Sequence, residues 1–257
     1  MAQKTAQKPN NKSKLSKKAA NRSISMSASL AYFAFSLVLN ALGNVLTIVT
    51  SAHILPAFLG SAYWTAAQTN LGYAILGRGS STALFWAFLV LGMLISFLNA
   101  ILMGKLDWGR VLGNFAFMLP FSLFIQWFAN IFNNMLGGYH ATSLPMIILF
   151  VIINFVGVAF IATAISIYQR VNLVLHPADD LMQILRFKYF NGKAAIAMWV
   201  SYIPPTLMGI IAVIMTHNLE NFGLGTLFAF LFQGNITGFA DRLIFPNLKH
   251  QAVDVGK

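Results

Sequence analysis

The stretch "HILPAFLGSAYWTAAQTNLGYAILG", residues 53–77, decides the fold. It is apolar enough to cross a bilayer, and it lies between longer apolar runs at about 28–50 and 82–104. Taken as a span, it puts Lys105 and Arg110 outside and reverses every later loop. Taken as a short segment tucked between spans, it leaves six crossings, at 28–50, 82–104, 111–132, 145–168, 194–216 and 222–244. Each of these can traverse a hydrocarbon layer ~30 Å thick as a helix rising ~1.5 Å per residue.

The basic residues choose between the two readings. With the N-terminus inside, the inner segments hold Lys4, Lys8, Lys12, Lys14, Lys17, Lys18 and Arg22, then Lys105 and Arg110. Next come Arg170, Arg186, Lys188 and Lys193, and finally Arg242, Lys249 and Lys257. Of 17 lysines and arginines only Arg78 falls outside. Loops rich in Lys and Arg stay on the cytoplasmic face, so six spans with both termini cytoplasmic are expected.

A repeat points the same way. "GNVLTIVTSAHILPAFLGSAYWT" from Gly43 matches "GVAFIATAISIYQRVNLVLHPAD" from Gly157 in hydropathy without a gap, which pairs Trp64 and Thr65 with Ala178 and Asp179. "LGNFAFMLPFS" from Leu112 pairs with "LGTLFAFLFQG" from Leu224, and Gly92 and Gly209 fall between. A three-span unit repeated once must enter the bilayer in opposite orientations, a plan that recurs among transporters. The counterpart of 53–77 is 167–191, which carries Arg170, His176, Asp179, Asp180, Arg186 and Lys188 and cannot span lipid alone. Both segments are expected to be short re-entrant or interfacial helices, because irregular backbone at membrane depth needs protein or water around it. The expected organisation is a disordered basic tail (1–27), a first three-span repeat (28–132), a second (145–244) and a cytoplasmic C-terminal tail (245–257).

Composition agrees with an all-α polytopic membrane protein: 58% hydrophobic residues, 9% charged and a mean hydropathy of +0.70. A soluble domain commonly carries about 25% charged residues. The chain has no cysteine, which excludes disulfides and thiolate metal sites. The net charge of +11 sits largely in a Ser-, Asn- and Gln-rich tail beside the first span. That placement suits anionic lipid, at roughly 1 kcal/mol per Lys or Arg near the surface, rather than nucleic acid. The first apolar run exceeds the about 7–15 residues of a signal-peptide core and reads as an uncleaved span.

The glycine-led spans, the short segment and the late "FGLGT" (residues 222–226) resemble the YczE/YyaS/YitT group of bacterial integral membrane proteins. Against that group's L-G-x-G-P-W-D pattern, residues 59–65 keep Leu59, Gly60 and Trp64, with Tyr63 for Pro and Thr65 for Asp. The second copy keeps Pro177 and Asp179 and lacks Trp. The resemblance covers about residues 30–245 and implies a bacterial plasma-membrane location. The absence of an acid at Thr65 argues against a symmetric pair of carboxylates.

Few polar side chains lie within the apolar segments. Asp179 and Asp180, behind Pro177, suit the cap of a helix running through residues 181–185; alternatively Asp179 faces a cleft between the halves as a cation or proton site. Gln233, Thr237 and Asp241 form one row at i, i+4 spacing on the last span, and Asn40/Asn44 and Gln126/Asn130 repeat that spacing. Such rows line cavities or bond neighbouring helices. Gly43, Gly157, Gly223, Gly225 and Gly234 suit close packing, whereas Pro120, Pro204 and Pro205 should kink their spans. Tyr63, Trp64, Trp108 and Tyr139 fit an interfacial belt, with Trp64 as a stacking surface for a solute the alternative. The five histidines show no metal spacing, and there is no HExxH, GxSxG or Walker loop. No catalysis, cofactor or metal is expected. The predicted function is a small-solute permease whose cavity, lined by Asn44, Gln233, Thr237 and Asp241 with Asp179 towards the cytoplasm, takes a small solute or cation. The competing prediction is a membrane protein that regulates or anchors a partner complex, or captures substrate for an energised one.

Overall fold

A computed structural model describes residues 22–77, 83–218, 220–251 and 255; Arg78 and residues 1–21 of the basic tail lie outside the described residues. The described residues form helices and no strand, with one isolated bridge between Ile54 and Ala141. In chain order the helices are α1 (Met26–Ala52), α2 (Tyr63–Leu76), α3 (Ala83–Met103), α4 (Trp108–Leu136) and α5 (Leu144–Val171). Then follow α6 (Pro177–Ile184), α7 (Ala194–Ser201), α8 (Ile203–Thr216) and α9 (Leu224–Leu243).

Five segments are long and apolar enough to cross a membrane: α1, α3 from Phe85, α4, α5, and α7 with α8 as one 23-residue unit. Gln233, Asn235, Asp241 and Arg242 make the 20-residue α9 more polar than these. Side chains are distributed as lipid requires. Ile101, Leu123 and Ile214 stand about 70% exposed on outer faces, while Asn40, Asn154 and Gln169 lie buried at the centre. Lipid tails replace water outside, so the polar side chains turn inward, where most of their atoms find partners.

Local chemistry sets the boundaries. Ser25 caps α1, its hydroxyl accepting from the Ala28 amide, and Asp107 caps α4 by accepting from Gly109 and Arg110. The expected span at 194–216 is broken rather than kinked: α7 stops at Tyr202 and α8 begins there, because Pro204 and Pro205 have no N–H for the carbonyls one turn back. Pro120, in contrast, lies inside an uninterrupted α4.

Helices that the sequence repeat pairs make corresponding contacts. α1 packs on α5, α1 on α4 and, correspondingly, α5 on α9. The short helices pack across the seam: α2 lies against both α8 and the neighbouring α3, and its counterpart α6 against α3. At the centre α1 and α5 touch backbone to backbone. A Cβ on Gly43 would lie 2.6 Å from the Gly157 carbonyl oxygen, and one on Gly157 would lie 2.7 Å from that of Gly43. The two motifs of the first half and the late span also meet. The Leu224 and Gly225 amides donate to the Phe58 and Leu59 carbonyls (2.9 and 2.6 Å), and the Thr226 hydroxyl donates to the Ser61 carbonyl (2.7 Å). The loop before α2 thus satisfies amides that the first turn of α9 leaves without helical partners. Gly113 abuts Val174 at the equivalent place in the other half.

Candidate functional site

The first turns of α2 and α6 face one cavity of about 440 Å³, some of it open to the exterior, walled by α1, α3, α4, α5 and α9. Its polar lining comes from Asn40, Asn44, Thr65, Gln68, Asp179 and Gln233, and its aromatic lining from Trp64, Phe88, Phe121 and His176. Trp64, expected in an interfacial belt, lies here instead, because α2 turns this edge inward.

A chain of hydrogen bonds runs around the wall from one short helix to the other. The Thr65 hydroxyl donates to Asn44 Oδ1 (2.7 Å), Asn44 Nδ2 donates to Asn40 Oδ1 (2.7 Å), and Asn40 Nδ2 donates to the Tyr168 hydroxyl (3.0 Å). Tyr168 closes the chain by donating to Asp179 Oδ2. Every donor points towards Asp179, and the ends of the chain, Thr65 and Asp179, are the positions the repeat pairs.

Asp179 does not cap α6. His176 does, its Nδ1 accepting from the Ala178 amide, because Pro177 occupies the first helical position and places the acids within the first turn. Burial raises the Asp179 carboxyl to about 7, against the lowering effect of the Tyr168 bond. Burial pushes the neighbouring His176 down to about 4, so its ring is neutral near pH 7. α2 differs from α6 at the same place. No side chain caps it, its first turn contains no acid, and the buried Gln68 Nε2 has no hydrogen-bond partner.

Below the cavity, Asp180 is fully buried against Arg110. The Arg110 Nε reaches both carboxylate oxygens (2.9 and 2.8 Å), and Asn114 Nδ2 donates to Oδ2 (3.2 Å). A second ionic cluster lies at the same end. Asp241 accepts from Arg186 Nη2 (2.5 Å) and the Ser166 hydroxyl (2.7 Å), with Arg170 Nε 3.6 Å away. Arg170 is 1% exposed and inserts under the end of α9, donating to the carbonyls of Ile244, Phe245 and Leu248. Its Nη1 also donates to the Asp241 carbonyl (3.3 Å), one of the orphan acceptors in the last turn of α9, where a cation is favourable. The Gln251 amide donates to the Arg170 carbonyl, and Gln251 Oε1 accepts from the Ser23 amide, so Ser23 and the C-terminal segment meet on the end of α5.

Of the expected site residues, Asn44, Asp179 and Gln233 line this cavity. Thr237 and Asp241 do not. Thr237 is fully buried and donates to the Gln233 carbonyl, and Asp241 is neutralised by two arginines at the end of the helix. The i, i+4 row is real, but the cavity is only one turn deep along it. Tyr168, Gln68 and Arg110 were not singled out as site residues; the polar run Tyr168-Gln169-Arg170 at the end of an apolar span was the signal for the first.

The fold and these buried networks define a multi-pass α-helical membrane protein with a polar centre. The chain belongs to a family of unknown function, DUF6198, whose family model matches residues 27–242. No curated protein and no solved structure matches it.

Proposed function

We propose that the protein is a small-solute permease of the bacterial plasma membrane, with six spans in two inverted three-span halves, α9 the sixth span and both termini cytoplasmic. The observation that carries this reading is the polar cavity at the seam, reached by the first turns of both short helices. Isolated polar groups in lipid are costly, and a cavity that gathers six of them between the two short helices is suited to a solute. The reciprocal crossing of Gly43 and Gly157 supports the inverted plan, since each glycine presents its carbonyl to the other. The described cations support the sidedness: Arg22, Lys105, Arg110, Arg170, Arg186 and Arg242 all lie in segments the plan puts on one face. The likeness to the YczE/YyaS/YitT group is part of the same proposal, as is the absence of any catalytic role.

The cysteine-free chain makes topology testable. With Gly138→Cys and Lys105→Cys introduced singly, a membrane-impermeant thiol reagent added to intact cells is expected to label the first and spare the second. Labelling of both would overturn the inverted plan. Function is tested in proteoliposomes by swelling in a panel of small neutral, cationic and anionic solutes. Flux of at least one is expected; no flux, together with a stoichiometric protein partner from native membranes, would establish the regulatory or substrate-capturing alternative instead.

A further inference from the structure

The cavity is electrically lopsided. At its α6 side the helix end already carries a carboxylate of its own, Asp179, and a histidine cap. At its α2 side the helix end carries neither acid nor cap, and beside it the Gln68 Nε2 is buried to 1% residue exposure with no partner. A buried amide donor left unpaired is destabilising, and such a group is kept where something else accepts from it. Helix N-termini concentrate partial positive charge and free N–H groups, and favour anions. Two independent features of one wall therefore ask for a negative acceptor.

We propose that the cavity binds a small monovalent organic anion, its negative group on the first turn of α2 and the Gln68 amide, and that Asp179 must be neutral for it to enter. This rests on the reading of the cavity as the solute site. An ionised Asp179 would repel the anion across a narrow, water-poor space; with a proton bound, the carboxyl neither repels it nor saturates the field. The groups facing Asp179 leave that role to it. Tyr168 on α5 donates to it, His176 lies 3.9 Å away and neutral, and Asp180 beside it is matched by Arg110 of α4. Tyr202, at the α7–α8 break, is within electrostatic reach, and the described part of α3 brings no titratable side chain to α6. Linkage is reciprocal: an anion that prefers protonated Asp179 also raises its affinity for the proton, so the two enter together.

The test uses the purified full chain in detergent, titrated calorimetrically with sodium acetate, and with acetamide and ethylammonium chloride as neutral and cationic counterparts. A group titrating near 7 is about nine-tenths protonated at pH 6 and one-tenth at pH 8, so acetate is expected to bind about ten-fold tighter at pH 6. Asp179→Asn is expected to hold the pH 6 affinity at both pH values. Gln68→Leu breaks no internal hydrogen bond and is expected to weaken acetate at least ten-fold without lowering the melting temperature. The assignment is overturned by acetamide or ethylammonium binding as tightly as acetate, by acetate binding tighter at pH 8, by Gln68→Leu leaving affinity unchanged, or by no binding at all. Acetate binding of the expected kind without flux would remove the permease reading and leave this one; flux of another solute without acetate binding would do the reverse.

Discussion

Asp180→Asn is expected to destabilise the full chain by about 3–5 kcal/mol, the cost of breaking a buried ion pair from one side. Asp180 is fully buried, and Arg110 engages both its oxygens through Nε while Nη2 reaches Oδ1 at 2.5 Å. Asparagine preserves the shape but removes the charge, leaving a largely buried guanidinium facing a dipole. Asn114 and Asn99 also donate towards Oδ2 (3.2 and 3.5 Å), so at least one amide nitrogen would lose its acceptor or meet another N–H. Arg110→Met alone should cost a similar amount by stranding the carboxylate. The double variant Asp180→Leu with Arg110→Met should recover most of the loss, since apolar replacement of a whole buried pair is often neutral or stabilising. Thermal unfolding of these proteins and of Asp180→Leu alone, in one detergent, closes the cycle. A single-variant cost under about 1 kcal/mol would put the pair among weak exposed pairs and contradict the burial.

Gly43→Ala should be nearly as damaging, at about 3 kcal/mol, the upper end for overpacking. The new methyl would meet the Gly157 carbonyl at 2.6 Å and the Ile161 nitrogen at 2.9 Å, both backbone atoms that cannot swing aside. α1 and α5 must separate by roughly 1 Å to restore ordinary contact. That strains the Asn154 bonds to Thr50 and to the Gly60 carbonyl (3.0 Å each), which fix the loop before α2. Gly157→Ala should cost a similar amount. Because one separation relieves both clashes, the double variant should cost clearly less than the two singles added. Gly138→Ala, where a Cβ meets nothing within 4 Å, is the control and should be neutral. Simple additivity at Gly43 and Gly157 would mean that the two methyls are accommodated separately, against the reciprocal crossing.

What the sequence made legible follows from what each signal measures. Long apolar runs reported the helices, since the thickness of lipid imposes their length. Glycine at two matched positions foretold the close crossing of α1 and α5. The stretch at 53–77 forms an irregular loop and the 14-residue α2 rather than a long apolar helix. Proline spoke less clearly: Pro120 is absorbed in α4, while at Pro204 and Pro205 two adjacent missing donors interrupt the helical bonding of 194–216 at Tyr202. The site was harder to read. Periodicity located Gln233 and Asn44 on their helices but could not tell how far along a helix the cavity runs, so Thr237 and Asp241 were grouped with it. Tyr168 and Gln68 gain their meaning from partners on other helices, or from lacking one, which spacing along one chain does not encode.

The packing of the short helices across the seam has a bearing on biogenesis. When α2 leaves the ribosome, α3 follows at once to cover one side of it, but the side that rests on α8 has no partner yet, and the loop ahead of it still awaits the start of α9. Residues up to α4 therefore lack the contacts that α8 and α9 make with α2 and its loop until those later helices are made. Separately expressed halves should accordingly survive only when made together, each acting as the missing jaw of the other's clasp.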